Sequence, residues 1–326
     1  MSNNRKDHKR TEGSDKSRGD VIIHIVIPAV MILLIIAIVV MIRKWNKGQV
    51  SDYDPDEVTT EFDTEPNDYI LPLNAQDVAG KPDDGRLTIL TLGNSPFADS
   101  YDDNNLAEAI GRVYGADVIN CGIEDSYISC RRNEYSDEDE EDGVSLPCIV
   151  RAMTDGDYSI PERAAALISE QASAAVDRLK SVDLSSVDCI VIMYDLEDYV
   201  DHRPLGSESV TDITSIYGAV RSSLEGLREA YPYIRIVYLS QPASGKTIDD
   251  FYVDGDIHDI GEGLLSEYVT FELEAAATAG TSFIDIYYGV INVDVRDEYL
   301  VDDYHINDAG ADAIASRMYK LIPLKP

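Results

Sequence analysis

Basic residues are scarce over most of this chain. Nine of the 27 Lys and Arg but only four of the 61 Asp and Glu lie up to Lys47, which leaves 18 basic and 57 acidic residues beyond it. The resulting net charge of −39 repels nucleic acid and anionic lipid, so we exclude DNA, RNA and phospholipid headgroups as partners of this region. Cations and basic wall polymers are still compatible with it.

Cysteine and tryptophan are also sparse, with four and one in 326 residues. Cys130 and Cys148 flank an acidic run and would close it as a disulfide if the domain is exported. Cys121 and Cys189 lie in apolar runs, which is typical of buried thiols. Trp45 follows a basic cluster at the end of an apolar segment, a position typical of a membrane interface.

That apolar segment, residues 21–42, carries no formal charge and as a helix would reach roughly 33 Å, enough to cross a bilayer. It lacks the small-residue cleavage site of a signal peptide, so we predict a retained transmembrane helix. Residues 1–20 carry six basic residues and are predicted to be a cytoplasmic tail, with the large C-terminal domain extracytoplasmic.

Two acidic segments have no sustained hydrophobic periodicity. Residues 43–84 are rich in Asp, Glu, Pro, Thr and Asn, which predicts a flexible stalk between the membrane and a domain over 85–326. Residues 131–143 form an acidic insertion in that domain, and we predict an exposed loop. It lacks the ligand spacing of an EF-hand, so a solvated charge run is favoured over a Ca²⁺ site.

From residue 85 onward, short apolar runs rich in β-branched residues alternate with helical stretches, which predicts an α/β domain with a doubly wound parallel sheet of five strands. The predicted strands are Leu87–Leu92, Ala116–Asn120, Cys189–Tyr194, Arg235–Leu239 and Ser282–Tyr287. The predicted helices are Asn104–Val113, Pro161–Leu179, Ile213–Ala230, Gly261–Ala279 and Asp308–Tyr319. Near-continuous apolar strands imply burial on both faces, hence three layers.

Candidate chemistry lies after the first strand and before the last helix. Ser95 follows the first strand in L-G-N-S-P-F-A-D, and His305 follows Asp302 by three residues in D-D-Y-H-I-N-D-A-G. An Asp at that spacing can accept the Nδ1 proton and turn Nε2 toward a nucleophile. Since ligands bind beyond the carboxyl ends of parallel strands, both blocks are expected at one edge of the sheet.

With these two blocks in this order, residues 86–322 resemble the SGNH/GDSL hydrolases. The resemblance implies a three-layer, flavodoxin-like fold, with Ser95 as nucleophile, His305 as general base and Asp302 as its support. Asp303 is a rival for the supporting role, although the family spacing favours Asp302. Asn94 stands where the family usually has Asp. The implied chemistry needs no metal or organic cofactor.

The middle blocks depart from the family pattern. The resemblance places Asp125 where a Gly supplies an oxyanion N–H, with Gly122 close by, and any residue except Pro keeps that donor. It places Glu197 where an Asn side chain should donate to the oxyanion, and an ionised carboxylate has no proton to donate. Glu197 is either protonated, which neighbouring acids and burial would favour, or the site is slow, repurposed or inactive.

Two functions therefore compete. The first is a membrane-anchored extracytoplasmic serine esterase or acyltransferase whose substrate is a small O-acyl ester, including acylated carbohydrate of the cell envelope. The second keeps the fold as a binding or scaffold domain without catalysis. In that second function, an acidic pocket for a cationic group or metal ion would be formed by Asp125, Asp195, Glu197 and Asp198.

Overall fold

The computed structural model describes residues 30–38, 65–79, 81, 84–99, 105–260 and 262–324. Within the predicted membrane span, residues 30–38 form a helix whose apolar side chains are about half exposed. Residues 21–29 and 39–42 of that span lie outside the described residues. No helix among the described residues has the length and apolar character needed to cross a membrane. The predicted cytoplasmic tail and residues 43–64 of the predicted stalk are also outside the described ranges.

A five-stranded parallel sheet organises the folded unit, which runs from Thr64 to Pro326. Its strands are β1 (Thr88–Gly93), β2 (Asp117–Asn120), β3 (Cys189–Met193), β4 (Arg235–Leu239) and β7 (Ser282–Ile284), in the order β2-β1-β3-β4-β7. This is the doubly wound order 2-1-3-4-5, whose direction of winding reverses between β1 and β3. The predicted α/β class with a doubly wound parallel sheet and all five predicted strands are confirmed, with ends within a few residues.

Consecutive residues of the central strands pack alternately into two separate hydrophobic cores. The strands are therefore apolar at every position. In β3, Ile190 and Ile192 pack into one core, whereas Val191 and Met193 pack into the other. The second core lies under the helices Leu106–Tyr114 and Asp308–Leu321. The first core lies under a larger set of helices, which are Leu146–Asp155, Ser159–Ile168, Glu170–Lys180, Ile216–Ala230 and Leu265–Ala279.

Shorter elements complete the described chain. They are the helices Ala75–Val78, Ser95–Ala98, Glu197–Val200, Ile286–Gly289 and Arg296–Tyr299, the 3₁₀ helices Glu140–Val144 and Leu184–Ser186, and the strands β5 (Gly245–Ile248) and β6 (Phe251–Asp254). The predicted helix Pro161–Leu179 is in fact two helices, because Ser169 leaves the helical conformation and caps the second with its hydroxyl. The hairpin β5–β6 and the helix Leu146–Asp155 were not predicted.

The end of the predicted stalk belongs to the folded unit instead. Tyr69 exchanges two backbone hydrogen bonds with Phe283 of the edge strand β7, at 2.9 and 2.7 Å, and Asp68 forms an ion pair with Arg317. Arg235 donates to the Leu71 carbonyl at 2.7 Å. The described part of the folded unit therefore begins at residue 65 rather than at residue 85, and this segment covers a sheet edge that would otherwise be open.

The acidic insertion 131–143 is only partly the exposed loop that we predicted. Its last residues form the 3₁₀ helix Glu140–Val144, and Asp142 is buried, accepting from the N–H groups of Arg131 and Arg132 at 2.6 and 2.9 Å. The Arg131 side chain also pairs with Glu141 and Asp201. The two arginines at the start of the run thus neutralise part of its charge and fold it back. All four cysteines are buried free thiols, so Cys130 and Cys148 form no disulfide.

A buried carboxyl in the first core gives a pH-dependent stability. Glu272 is fully buried, where it accepts from the Tyr238 hydroxyl at 3.3 Å, and burial followed by the nearby Asp198 raises its pKa well above the ordinary value. The folded state therefore binds this proton more tightly than the unfolded state. Stability is greatest below the unfolded pKa and falls as pH rises toward the folded pKa.

We expect Glu272→Gln, which is neutral at every pH, to lose this dependence. Its free energy of unfolding should match the wild type near about pH 4 and exceed it increasingly at higher pH, by up to about 1.4 kcal/mol per pH unit. Urea denaturation over this range measures the difference. Glu274→Gln, on the exposed face of the same helix, is the control, and parallel pH curves for the wild type and Glu272→Gln would contradict the assignment.

Candidate active site

The adjacency of β1 and β3 brings the first candidate residue to the centre of the carboxyl edge. Gly93 pairs with Met193 in register, so the residues after each strand emerge side by side. Only glycine fits at position 93, since a Cβ there would lie 1.7 Å from the Met193 carbonyl oxygen and φ is +149°. Ser95 then begins the short helix Ser95–Ala98 beyond the strand end.

Ser95 and Asn94 both bond to Asp195, the second residue after β3. The Ser95 hydroxyl donates to Asp195 Oδ2, and Asn94 Nδ2 donates to Asp195 Oδ1 at 2.7 Å. Asn94 Oδ1 in turn accepts from the Asp195 N–H at 2.9 Å, so the two loops are locked together. Burial, and then the charge of Glu197, raises the pKa of Asp195 to about 6. The substitution of Asn94 for the family's Asp therefore has a structural role here.

The other predicted pair is formed at the loop before the last helix. His305 Nδ1 lies 2.7 Å from Asp302 Oδ2, and the His305 and Tyr304 N–H groups donate to Asp302 Oδ1 at 3.0 and 3.1 Å. Burial alone would raise the pKa of Asp302, but the hydrogen bonds from His305 and Tyr304 bring it below its ordinary value. An ionised Asp302 accepts the Nδ1 proton, which leaves Nε2 as the acceptor of the imidazole.

Asp303 has a different partner from His305. Its Oδ2 accepts from the Thr247 N–H at 2.7 Å, and its carbonyl accepts from the Gly245 N–H at 3.3 Å, both in the hairpin β5–β6. Of the two candidates for support of the imidazole, the geometry thus selects Asp302.

The imidazole lies beside the helix that carries Ser95. His305 Nε2 is 3.9 Å from Asp99 Oδ2, and the Asp99 N–H donates to the Ser95 carbonyl at 3.1 Å, one turn away. The His305 side chain is 13% exposed and its ring packs on Tyr304, with centroids 3.8 Å apart. Ser95 and the Asp302–His305 pair therefore share one edge of the sheet, although the Ser95 hydroxyl is donated to Asp195.

The two predicted backbone donors to an oxyanion are arranged differently. The Gly122 N–H already donates to Asn120 Oδ1 at 3.0 Å, and a Cβ at Gly122 would lie 2.6 Å from that of Phe97, so Gly122 allows close packing against the Ser95 helix. The structure thus gives Gly122 a packing role, and its role as an oxyanion donor stays a prediction. Asp125 adopts φ +56°, the left-handed conformation that glycine favours. Asp125 thus has a backbone conformation that a Gly at this position would adopt without strain.

Glu197 forms an ion pair with a lysine. Its Oε1 accepts from Lys246 Nζ at 2.6 Å, and its N–H donates to Asp195 Oδ1 at 3.1 Å. Lys246 lies on the hairpin strand β5 and was not identified from the sequence. The available signal was two short runs separated by Asp249 and Asp250, which both adopt positive φ as in a type I′ turn.

The acidic pocket of the second hypothesis does not form. Asp198 is buried and accepts from the Ile128 N–H at 2.7 Å and from the Ser129 N–H and hydroxyl at 3.0 and 2.7 Å. Asp195 and Glu197 are engaged as described above. Within the described parts of the chain, no group of three or more His, Cys, Asp or Glu could hold a metal ion.

Comparisons with known proteins give a structural likeness only. No protein-family model matches the chain, and no curated protein matches its sequence. A solved structure from Lactobacillus plantarum is 19% identical with a TM-score of 0.52, covering 73% of this chain and 97% of that chain. A lipase/acylhydrolase from Enterococcus faecalis is 16% identical with a TM-score of 0.41, covering 72% and 94%. A carbohydrate acetylesterase from Sinorhizobium meliloti is 14% identical with a TM-score of 0.40, covering 73% and 100%.

The likeness to the Lactobacillus plantarum structure shows a shared fold. The strand order, the serine after β1 and the Asp-x-x-His before the last helix, all at one edge, agree with what the sequence resemblance implies. The chain therefore has the three-layer α/β fold that the sequence predicted.

Because the backbone at Asp125 is left-handed, a valine should lower the free energy of unfolding more at position 125 than at position 124. We expect Asp125→Gly to leave the free energy of unfolding unchanged or slightly higher, and Asp125→Val to lower it by about 1–2 kcal/mol, because a β-branched residue is strained at positive φ. Glu124→Val is the matched control, since Glu124 is also exposed and its φ is negative. Equal losses for valine at positions 124 and 125, measured by urea denaturation, would contradict this backbone.

Proposed function

We propose that this protein is a serine esterase or acyltransferase that acts on O-acyl esters. The observation that carries the proposal is the convergence of Ser95, at the start of the helix after β1, and of the Asp302–His305 pair on one edge of the sheet. That edge, at the switch point between β1 and β3, is where doubly wound sheets bind ligands.

In the proposed reaction, Ser95 Oγ attacks the ester carbonyl carbon and its proton passes to His305 Nε2. The carbonyl electron pair moves to the oxygen, and the resulting oxyanion accepts from the N–H groups of Ser95 and Asp125. His305 then returns the proton to the departing alkoxide, which leaves an acyl-serine. Water hydrolyses this intermediate, or an alcohol takes over the acyl group, by the same steps in reverse.

The Ser95 hydroxyl must change partner for this reaction to begin. In the free protein it donates to Asp195, whereas attack requires donation to His305. An ester carbonyl placed beside Ser95 would bring the hydroxyl into line with the imidazole. Apo hydrogen bonds of catalytic groups commonly tighten only when substrate is bound.

The substrate class and the location follow from the family resemblance and the apolar segment. A small ester or an acylated carbohydrate of the cell envelope fits a domain held outside the membrane by residues 21–42, with the N-terminus in the cytoplasm. The 22 uncharged residues of that segment and the basic residues before it support this anchor. Extraction of the full chain from membranes by alkaline carbonate would contradict it.

Hydrolysis of p-nitrophenyl acetate by the full chain in detergent tests the proposed function. We expect measurable turnover that falls by at least about 10³-fold in Ser95→Ala and His305→Ala, because each removes a group that takes part in bond making or proton transfer. Ser185→Ala, at an exposed serine of the 3₁₀ helix that precedes β3, is the control and should keep full activity.

Two results would overturn the proposed function. Equal turnover by the wild type and Ser95→Ala would place the chemistry elsewhere. Equal and negligible turnover by both, with unchanged thermal melting, would favour the binding or scaffold domain, which keeps the fold without catalysis.

A further inference from the structure

The carboxylate at Glu197 raises a chemical problem for the proposed reaction. It stands where the family pattern has an amide donor, and an ionised carboxylate there repels the oxyanion. Lys246 Nζ lies 2.6 Å from Glu197 Oε1, with both side chains largely shielded from solvent. An ammonium therefore stands one hydrogen bond away from the position at which the missing donor would act.

The hairpin β5–β6 holds Lys246 at this position. The residues on either side of it, Gly245 and Thr247, both donate their N–H groups to Asp303, at 3.3 and 2.7 Å. Asp254, which pairs with Gly245 across the hairpin, forms an ion pair with Arg296 at 2.6 Å. Lys246 is thus fixed to the loop that also carries His305, two residues after Asp303.

Contacts of Lys246 reach both halves of the candidate catalytic set. On one side, its partner Glu197 donates a backbone N–H to Asp195, the residue that accepts from Ser95. On the other side, Lys246 Nζ lies 5.2 Å from the centre of the Tyr304 ring, and that ring packs on His305. The ammonium therefore lies between the serine loop and the histidine loop.

The negative charges around Lys246 favour a role for its ammonium group in stabilising an oxyanion. Asp195, Glu197 and Asp302 are all carboxyl groups at this edge, and an oxyanion would add a further negative charge in a partly desolvated site. An ammonium has three N–H donors, and Glu197 Oε1 engages one of them. Charge-assisted donors in such a site are worth more than in water.

We propose that Lys246 is a catalytic residue that donates to the oxyanion, and that Glu197 is the positioning residue that orients it. The proposal rests on the proposed function. When Ser95 Oγ bonds to the carbonyl carbon, the electron pair displaced onto the carbonyl oxygen meets the Lys246 ammonium as well as the N–H groups of Ser95 and Asp125. No proton leaves Lys246, and the hydrogen bond weakens again when the carbonyl reforms.

Steady-state hydrolysis of p-nitrophenyl acetate by the full chain tests this role through Lys246→Met, which keeps the length of the side chain and removes its charge. We expect kcat to fall by about 10²–10³-fold, the usual effect of losing one oxyanion donor, while KM changes by less than about threefold. Lys180→Met is the matched control, because Lys180 forms an exposed ion pair with Glu162 away from this edge, and it should retain the wild-type kcat.

A double variant separates catalysis from packing. Glu197→Asn combined with Lys246→Met restores the family's neutral donor and removes the ion pair as a whole, so its kcat should exceed that of Lys246→Met by about tenfold or more. Glu197→Leu combined with Lys246→Met removes the same carboxylate without supplying a donor, so it is the matched control and should stay about as slow as Lys246→Met. If Lys246→Met lowers the melting temperature, Lys246→Gln is used instead, because the glutamine amide can still bond to Glu197. The kcat of Lys246→Gln should be lower than that of the wild type by about tenfold or more.

Failure of the proposed function and failure of the proposed role of Lys246 give different results. A wild type without Ser95-dependent turnover overturns the proposed function and this proposal together. A wild type that is active, with a folded Lys246→Met variant whose kcat stays within about threefold of it, overturns the role of Lys246 alone. A Glu197→Asn, Lys246→Met double variant no faster than Lys246→Met also counts against the oxyanion role.

Discussion

Ser95 meets Asp195 because β1 and β3 are neighbouring strands that end in register. The hydroxyl and the Asn94 amide both donate to this one buried carboxylate, and Asn94 Oδ1 accepts from the Asp195 N–H. Every other feature of the candidate site is placed relative to this contact. The helix that starts at Ser95 sets the position of Asp99 beside His305, and the turn after Asp195 sets the position of Glu197 beside Lys246.

The same contact explains how an acidic protein can hold so many carboxyl groups at one edge. Asp195 has three donors, Asp302 is bonded by His305 and Tyr304, and Glu197 has a lysine. Asp198 is turned away from the edge into the interior, where the loop after β2 satisfies it. A carboxyl that is bonded in this way orients a neighbour, whereas an open cluster would attract a cation.

Much of the fold could be predicted from the sequence because hydrophobic periodicity is a local signal. The five strands of the sheet and the last helix follow from runs of apolar residues and from Asn307, which caps that helix. Ser95, Asp302 and His305 could be selected by their order and spacing, and Asp125 by the position at which the family that the sequence resembles has a Gly. The backbone at Asp125 agrees with a Gly at that position, although its side chain gives no hint of the left-handed conformation.

The remaining features depend on contacts between distant segments. Nothing local to Lys246 shows that its hairpin docks on Asp303, and nothing local to Tyr69 shows that it pairs with Phe283 more than two hundred residues later. The hydrogen bond from the Gly122 N–H to Asn120 is also visible only in three dimensions. Asp142 likewise becomes a buried anchor only when Arg131 and Arg132 fold back over it.

The central proposal is that Ser95 is a nucleophile whose hydroxyl donates to Asp195 in the free protein and to His305 during the reaction. Covalent labelling by a fluorophosphonate, followed by intact mass and peptide mapping, measures this directly. The account predicts a single adduct on Ser95, formed faster in Asp195→Asn, where the competing carboxylate is gone, and absent in His305→Ala. No adduct on Ser95 in the wild type, or slower labelling in a folded Asp195→Asn variant, would contradict it.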